Sequence, residues 1–79
     1  MSDVTDINDR VLSVIAKCFE VEPSAVSDDM AQFSLDSLDQ IEIAIGLEEE
    51  FELPAFEDDV IWPCKTVSDF QALVLKALA

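Results

Sequence analysis

The chain has 79 residues, of which 51% are hydrophobic, and carries a formal net charge of −14 with no histidine. A chain of this length makes one small domain, residues 1–79, and its apolar content is sufficient for a folded core. The negative charge disfavours nucleic acid as a partner, because phosphates would be repelled, and favours basic partner surfaces. The lack of histidine excludes the usual zinc sites and histidine-based acid–base catalysis.

The sequence also limits the compartment and the redox chemistry. No apolar run is long enough to span a membrane, and no signal peptide opens the chain. Two cysteines do not make a disulfide framework. Cys18 falls on the apolar face of a predicted helix, whereas Cys64 follows Pro63 and is a candidate loop thiol. We therefore expect a monomeric, cytoplasmic protein that holds no metal.

The first half of the chain predicts one helix and a long loop. Apolar residues three and four apart indicate a helix at about residues 6–19, capped by Thr5 or Asp6. Residues 22–36 are rich in loop-forming residues. An irregular segment of this length needs apolar contacts with the core. The expected anchors are Val26, Met30, Phe33 and Leu35.

A second helix is predicted at about residues 37–51. Asp36 can cap it, and Asp39, three residues later, suits the capping box and the positive helix end. Ser37 then takes the first helical position, where its hydroxyl faces solvent beside unpaired N–H groups. This is a favourable place for a covalently attached phosphate.

The predicted second helix is apolar on two sides. One set of residues is assigned to the core: Ile43, Ala44, Leu47 and Phe51. The other set consists of Leu38, Ile41 and Ile45. The pattern alone does not decide whether this set is buried in the core or exposed to solvent. Gly46 lies inside this helix at a cost of ~1 kcal/mol relative to alanine, and close approach of another helix is a possible reason.

The last third of the chain predicts two more helices. Residues 56–62 can form a short third helix of about two turns, which ends before Pro63. A fourth helix at about 67–78 is capped by Thr66, with Asp69 three residues later. No segment shows the alternation of a strand. The predicted fold is therefore all-α, a four-helix bundle with three long helices and one short.

The Asp36-Ser37-Leu38 motif, the acidic helix that follows it to Phe51 and the helical layout resemble the acyl carrier proteins. In that family the serine of this motif receives a 4′-phosphopantetheine arm from coenzyme A, and the arm's thiol carries acyl groups as thioesters. The resemblance implies an acyl-carrier-like four-helix bundle, attachment at Ser37 and a phosphopantetheinyl transferase as a partner. It also implies that the chain presents acyl intermediates to fatty-acid or related biosynthetic enzymes. The acidic surface favours a type II system, in which these enzymes are free-standing.

The resemblance also implies a docking surface beside the arm. Its apolar members are Leu38, Ile41 and Ile45, which lie partly exposed in the family and contact enzymes. Its acidic members are Asp36, Asp39, Glu42, Glu48 and Glu49, which we assign to contacts with basic enzyme surfaces. Each acid is alternatively an ordinary solvated residue. The segment 54–65 departs from the family pattern, which leaves two alternatives open: the general fatty-acid carrier or a specialised member.

The chain itself is not expected to be an enzyme, because no base lies near Ser37 in the sequence to activate its hydroxyl. Within carriers, the cargo is alternatively a polyketide or aminoacyl unit. A reading from a different class is an unmodified acidic module that docks a basic or amphipathic helix. A calcium-binding domain is rejected, because no segment has the ligand pattern and glycine of an EF-hand loop.

Overall fold

The computed structural model describes residues 4–33 and 35–79, which form four α-helices and two single 3-10 turns. The helices are α1 (Val4–Cys18), α2 (Ser37–Phe51), α3 (Asp58–Ile61) and α4 (Val67–Leu78), and the 3-10 turns are Pro23–Ala25 and Ala31–Phe33. The described residues contain no strand. The prediction of an all-α, acyl-carrier-like bundle with three long helices and one short is therefore confirmed.

The core lies where α1 packs against both α2 and α4. Each long helix buries a stripe of apolar residues three and four apart, which is the pattern that the sequence showed. The largest fully buried side chains are Phe70, Ile15, Met30, Ile43, Leu47, Val11 and Val74. Burial of each large side chain stabilises the fold by about 1.5–3 kcal/mol.

Helices α1 and α2 are held together at two points. A Cβ atom at Gly46 would lie 2.8 Å from Cγ1 of Val14, so close approach of α1 explains the glycine. Near the end of α2, the Arg10 guanidinium donates to the Glu50 carboxylate at 2.9 Å and to the Glu50 carbonyl at 3.0 Å. It also lies 4.4 Å from the ring centroid of Phe51. The orientation of α2 against α1 is thus fixed.

The long loop between α1 and α2 is anchored as predicted. Met30 is fully buried, and the other three expected anchors pack against the core. The ring of Phe33 stacks on Phe19 with their centroids 4.0 Å apart. The carbonyl of Asp28 accepts a hydrogen bond from the Val67 N–H at 2.8 Å, which ties the loop to the start of α4.

Two helix predictions need correction. Helix α1 spans Val4–Cys18, so Thr5 and Asp6 lie inside its first turn and not at the N-cap position that the sequence predicted; residues 1–3 and 34 lie outside the described part of the chain. Helix α3 is a single turn rather than two. The Phe56 N–H donates to the Glu48 carboxylate at 2.7 Å, and Glu57 has an extended backbone. These contacts keep residues 56 and 57 out of the helix.

Cys64 lies in the loop between α3 and α4, as predicted, but its thiol is not exposed to solvent. This side chain is buried in the core, and its Sγ donates to the Val60 carbonyl at 3.4 Å. Proline at position 63 correctly marked the end of the third helix. The side chain of the residue after it nevertheless belongs to the core, while its carbonyl accepts a hydrogen bond from Gln40 Nε2 at 2.7 Å.

Candidate functional site at the start of helix α2

The first turn of α2 is closed by the capping box that the sequence predicted. The Asp39 N–H donates to the Asp36 carboxylate at 2.9 Å, and the Asp36 N–H donates to the Asp39 carboxylate at 3.2 Å. Ser37 is the first residue of the helix, and its side chain is exposed. The hydroxyl is therefore accessible from solvent while the backbone that carries it is fixed.

Backbone donors lie next to that hydroxyl. The Gln40 N–H reaches the Asp36 carbonyl at 3.1 Å and closes the first helical turn. Within residues 4–33 and 35–79, the amides of Ser37 and Leu38 have no acceptor, and the Ser37 hydroxyl has no hydrogen-bond partner. Free amides and the positive end of the helix dipole both favour an anionic group at this position.

A polar groove of about 310 Å³ lies beside Ser37. It runs between the α1–α2 loop, the first turn of α2 and the connection between α3 and α4. Its lining residues are Asp29, Met30, Leu35, Asp36, Ser37, Gln40 and Lys65. Lys65 is the one base among them.

Gln40 is the functional-site residue that the sequence analysis missed. It is only 6% exposed, and its Nε2 donates to the Cys64 carbonyl at 2.7 Å and to the Trp62 carbonyl at 3.1 Å. These bonds join the first turn of α2 to the connection between α3 and α4. The available signal was a single polar residue on the buried side of an apolar helix, one turn after Ser37.

The apolar part of the predicted docking surface is open to solvent. Leu38 is 62% exposed and Ile45 is 48% exposed, whereas Ile41 is half-buried. Positions seven apart share one side of a helix, so Leu38 and Ile45 form a strip that starts directly beside Ser37. Burial of this second face in the core, which the pattern left open, does not occur.

The five predicted docking acids fall into three groups. Asp36 and Asp39 are engaged in the capping box. Glu48 is half-buried, and its carboxylate accepts the Phe56 N–H at 2.7 Å. Glu42 and Glu49 are exposed and have no hydrogen bond or ion pair to any residue that the structure describes. Their charges are therefore the most available to a partner.

Neither cysteine is suited to act as a nucleophile. Burial raises the pKa of the Cys18 thiol, and the nearby Glu42 and Asp39 carboxylates raise it further against the opposing effect of Lys17. Burial, followed by the Asp69 carboxylate, raises the pKa of the Cys64 thiol. Both thiols consequently stay protonated near neutral pH, and the thiolate is the reactive form.

A second, largely apolar groove of about 580 Å³ lies on the other side of the α3–α4 connection. Its walls come from the segment that departs from the family pattern, including Phe56 and Val60, and from Leu73 of α4. Cys64 lines this groove and Lys65 lines the groove beside Ser37. The peptide that joins these two residues therefore separates the two grooves.

The family model for the phosphopantetheine attachment site matches residues 9–74. The chain belongs to this family. It is also 42% identical over 76 residues to acyl carrier protein 2, mitochondrial, from Arabidopsis thaliana, in an alignment that covers 89% of this chain and 60% of the relative. The chain thus spans less than two thirds of that relative's length. The resemblance to acyl carrier proteins is confirmed, and the prosthetic group of the family is covalently attached 4′-phosphopantetheine.

Two further properties of the described residues bear on the site. None of their helices combines the length and the apolar character needed to cross a lipid bilayer. Within the same residues, no group of three or more histidine, cysteine, aspartate or glutamate side chains is arranged to hold a metal ion.

Proposed function

We propose that this chain is an acyl carrier. A separate phosphopantetheinyl transferase attaches 4′-phosphopantetheine from coenzyme A to Ser37, and the arm's thiol carries acyl intermediates as thioesters to fatty-acid or related biosynthetic enzymes. The observation that supports this most strongly is the exposed Ser37 hydroxyl at a capped helix start, in a chain that belongs to the phosphopantetheine-attachment family. Residues 1–79 act together as one carrier domain.

The residues around Ser37 fit the prosthetic group. A phosphodiester on the Ser37 oxygen is negatively charged and lies beside the free amides of Ser37 and Leu38, which favour an anion. The capping box of Asp36 and Asp39 fixes the backbone from which the arm extends. The group supplies a flexible, accessible thiol. The chain's own cysteines do not provide one, because Cys64 is buried and Cys18 is half-buried.

The chain acts as a carrier and not as a catalyst. The Ser37 hydroxyl makes no hydrogen bond to any described residue, so no side chain among them is in position to withdraw its proton. The burial of Cys64 and the partial burial of Cys18 also limit the access of acyl groups to these two thiols. Catalysis belongs to the enzymes that the carrier visits.

The exposed side of α2 is the docking surface for those enzymes. Leu38 and Ile45 supply apolar contact area, with Ile41 between them. Glu42 and Glu49 steer basic enzyme surfaces, and Asp36, Asp39 and Glu48 add to the same field. Such electrostatically steered docking forms fast and releases fast, which suits a monomeric protein that serves several enzymes.

The charge of α2 should set the rate at which the transferase loads the chain. Reversal of two exposed acids, Glu42→Lys with Glu49→Lys, should slow loading, and added salt should slow the wild type more than the variant. The matched control is Asp9→Lys with Glu22→Lys, which changes net charge equally away from α2. Equal slowing by the control would show that only net charge matters.

The compartment and the cargo belong to the proposal as well. The cytoplasm is predicted from the sequence, whereas the plant relative is mitochondrial by name. Fractionation of source cells with an antibody to the chain separates these two compartments. Mass spectrometry of the acylated chain from the same cells distinguishes fatty, polyketide and aminoacyl cargo.

Intact-mass measurement tests the proposed function. The wild type, Ser37→Ala and Ser68→Ala are incubated with coenzyme A and a broad-range transferase. Ser68 is the matched control, because it is also an exposed serine in the first turn of a helix. The wild type and Ser68→Ala should gain the mass of the arm, and Ser37→Ala should not. An unmodified wild type would instead favour the acidic interaction module.

A further inference from the structure

We infer that Lys65 pairs with the phosphodiester of the arm on Ser37 and thereby positions the root of the arm. The inference rests on the proposed function. Ser37 and Lys65 line the same groove of about 310 Å³, although they are far apart in sequence. Lys65 is the one base in that groove, so it is the residue whose charge is opposite to that of a phosphodiester.

The backbone of Lys65 is held in place from two sides. The carbonyl of the Cys64–Lys65 peptide accepts a hydrogen bond from Gln40 Nε2 at 2.7 Å. The N–H of the same peptide donates to the Asp69 carboxylate at 2.9 Å. Gln40 lies in α2 one turn after Ser37, and Asp69 belongs to the capping box of α4. The point from which the Lys65 side chain extends is therefore fixed relative to Ser37.

The Lys65 ammonium is available for this contact. Its side chain is exposed, and the ion pair found among the described residues is that of Arg10 with Glu50. The Asp69 carboxylate faces the backbone N–H groups of Lys65 and Thr66. Asp29 and Asp36 also line the groove and attract the ammonium, and they repel a phosphodiester. The Lys65 ammonium is thus the group in this groove that can offset the negative charge of a phosphodiester on Ser37.

The other three bases of the chain have different surroundings. Arg10 is engaged by Glu50. Lys17 lines a separate groove with Glu49 and Glu50, and Lys76 lines the apolar groove. A phosphodiester on Ser37 adds negative charge to a chain whose formal net charge is already −14. Lys65 is the base placed to compensate for it.

Phosphorus NMR of the loaded protein tests the inference. The wild type, Lys65→Gln, Lys65→Arg and Lys76→Gln are loaded until intact mass shows complete modification. Salt is then raised from about 10 mM to about 1 M, over which the Debye length falls from about 30 Å to about 3 Å. The phosphodiester resonance should move with salt in the wild type, Lys65→Arg and Lys76→Gln. In Lys65→Gln it should already lie at the high-salt position and stay there.

Thermal melting gives a second measure. At low salt, loading should lower the melting temperature of Lys65→Gln more than that of the wild type or Lys76→Gln. A phosphodiester resonance with the same position and salt response in all four proteins would overturn the inference while leaving attachment at Ser37 intact. A wild type that gains no mass would overturn the proposed function and the inference together.

Discussion

Helices α2 and α4 begin with the same kind of capping box, but they differ in how many of their first four backbone amides have a hydrogen-bond acceptor. Asp36 and Asp39 form the box of α2, and Thr66 and Asp69 form that of α4. At α4 the first four amides all have acceptors, with N···O distances of 2.8, 3.0, 3.0 and 3.2 Å: Val67, Ser68, Asp69 and Phe70. At α2 the first two amides have none among the described residues.

The difference comes from one residue of the long loop. Asp28 accepts from the Val67 N–H with its carbonyl, and from the Ser68 N–H and hydroxyl with its carboxylate at 3.0 and 2.7 Å. No described residue of the loop does this for α2. The start of α4 is closed by the Asp28 carboxylate and carbonyl, whereas the start of α2 keeps two amides free for the arm that we propose on Ser37.

The largest expected effect on stability is at the start of α4, where Asp28 closes the first turn. Asp28→Ala should lower the free energy of unfolding by about 2 kcal/mol, near the upper end for a helix cap, because it removes both carboxylate bonds to Ser68 and loosens the loop. Urea unfolding followed by Trp62 fluorescence measures this. Asp9→Ala, which removes an exposed acid from α1, should stay within about 0.5 kcal/mol of the wild type. Equal effects of the two variants would contradict the role of Asp28.

The start of α2 should contribute less to stability. Asp36→Ala removes the acceptor of the Asp39 N–H and should cost about 1 kcal/mol. The two free amides of α2 are unaffected, since they have no acceptor to lose. The same urea series measures the change. If Asp36→Ala cost as much as Asp28→Ala, the start of α2 would be as closed as that of α4.

The capping box of α4 should make the stability of the fold depend on pH through the Asp69 carboxyl. The Lys65 N–H lowers the pKa of the Asp69 carboxyl below its usual value of 3.8, and the Thr66 N–H and hydroxyl lower it further against the opposing effect of burial. Because the folded pKa is the lower one, the carboxylate stabilises the fold fully above the unfolded value. That contribution is lost as pH falls through the folded value.

Asp69→Asn tests this sign. The difference in free energy of unfolding between the wild type and the variant should be largest near neutral pH and should shrink as pH falls below the usual carboxyl value of 3.8, because the carboxyl then becomes protonated in the folded protein as well. Other titrating groups are common to both proteins and largely cancel in the difference. A difference that stays constant with pH would show that the charge of Asp69 does not stabilise α4.

The smallest expected effect is a difference in amide exchange between the two helix starts, which can be measured on the wild type without any substitution. In the unmodified protein, the amides of Ser37 and Leu38 should exchange with solvent faster than those of Val67 and Ser68. A local opening free energy of about 1.4 kcal/mol at α4 gives a difference of roughly tenfold. Amide-resolved hydrogen exchange by NMR measures it. Equal rates at the two helix starts would mean that Asp28 does not hold α4 closed.

The same comparison shows which features could be predicted from the sequence. The bounds of α2 and α4, their capping boxes and the exposed position of Ser37 were all predicted, because caps and apolar periodicity act between neighbours in the chain. The closure of α4 was missed, because Asp28 and Ser68 lie 40 residues apart. The bonds of Gln40 to the α3–α4 connection were missed for the same reason.

Helix α3 and Cys64 show the same limit. The pattern of residues 56–62 permits a two-turn helix, but the contact of Phe56 with Glu48 shortens it. The sequence around Cys64 resembles a loop, yet the side chain completes the core. The groove beside Ser37 combines three segments of the chain, so its shape and the place of Lys65 in it emerge only from the fold.

The fixed backbone of Ser37 has a consequence for the choice of partners. Two reciprocal hydrogen bonds join Asp36 to Asp39, so the arm that we propose on Ser37 extends from a fixed point of the backbone. The effective concentration of its thiol at a partner's active centre then depends on the span from that point. Leu38 of the proposed docking surface is adjacent to Ser37, so the position in which a partner docks sets that span. A partner whose active centre lies beyond the reach of the arm can bind α2 but cannot receive the cargo.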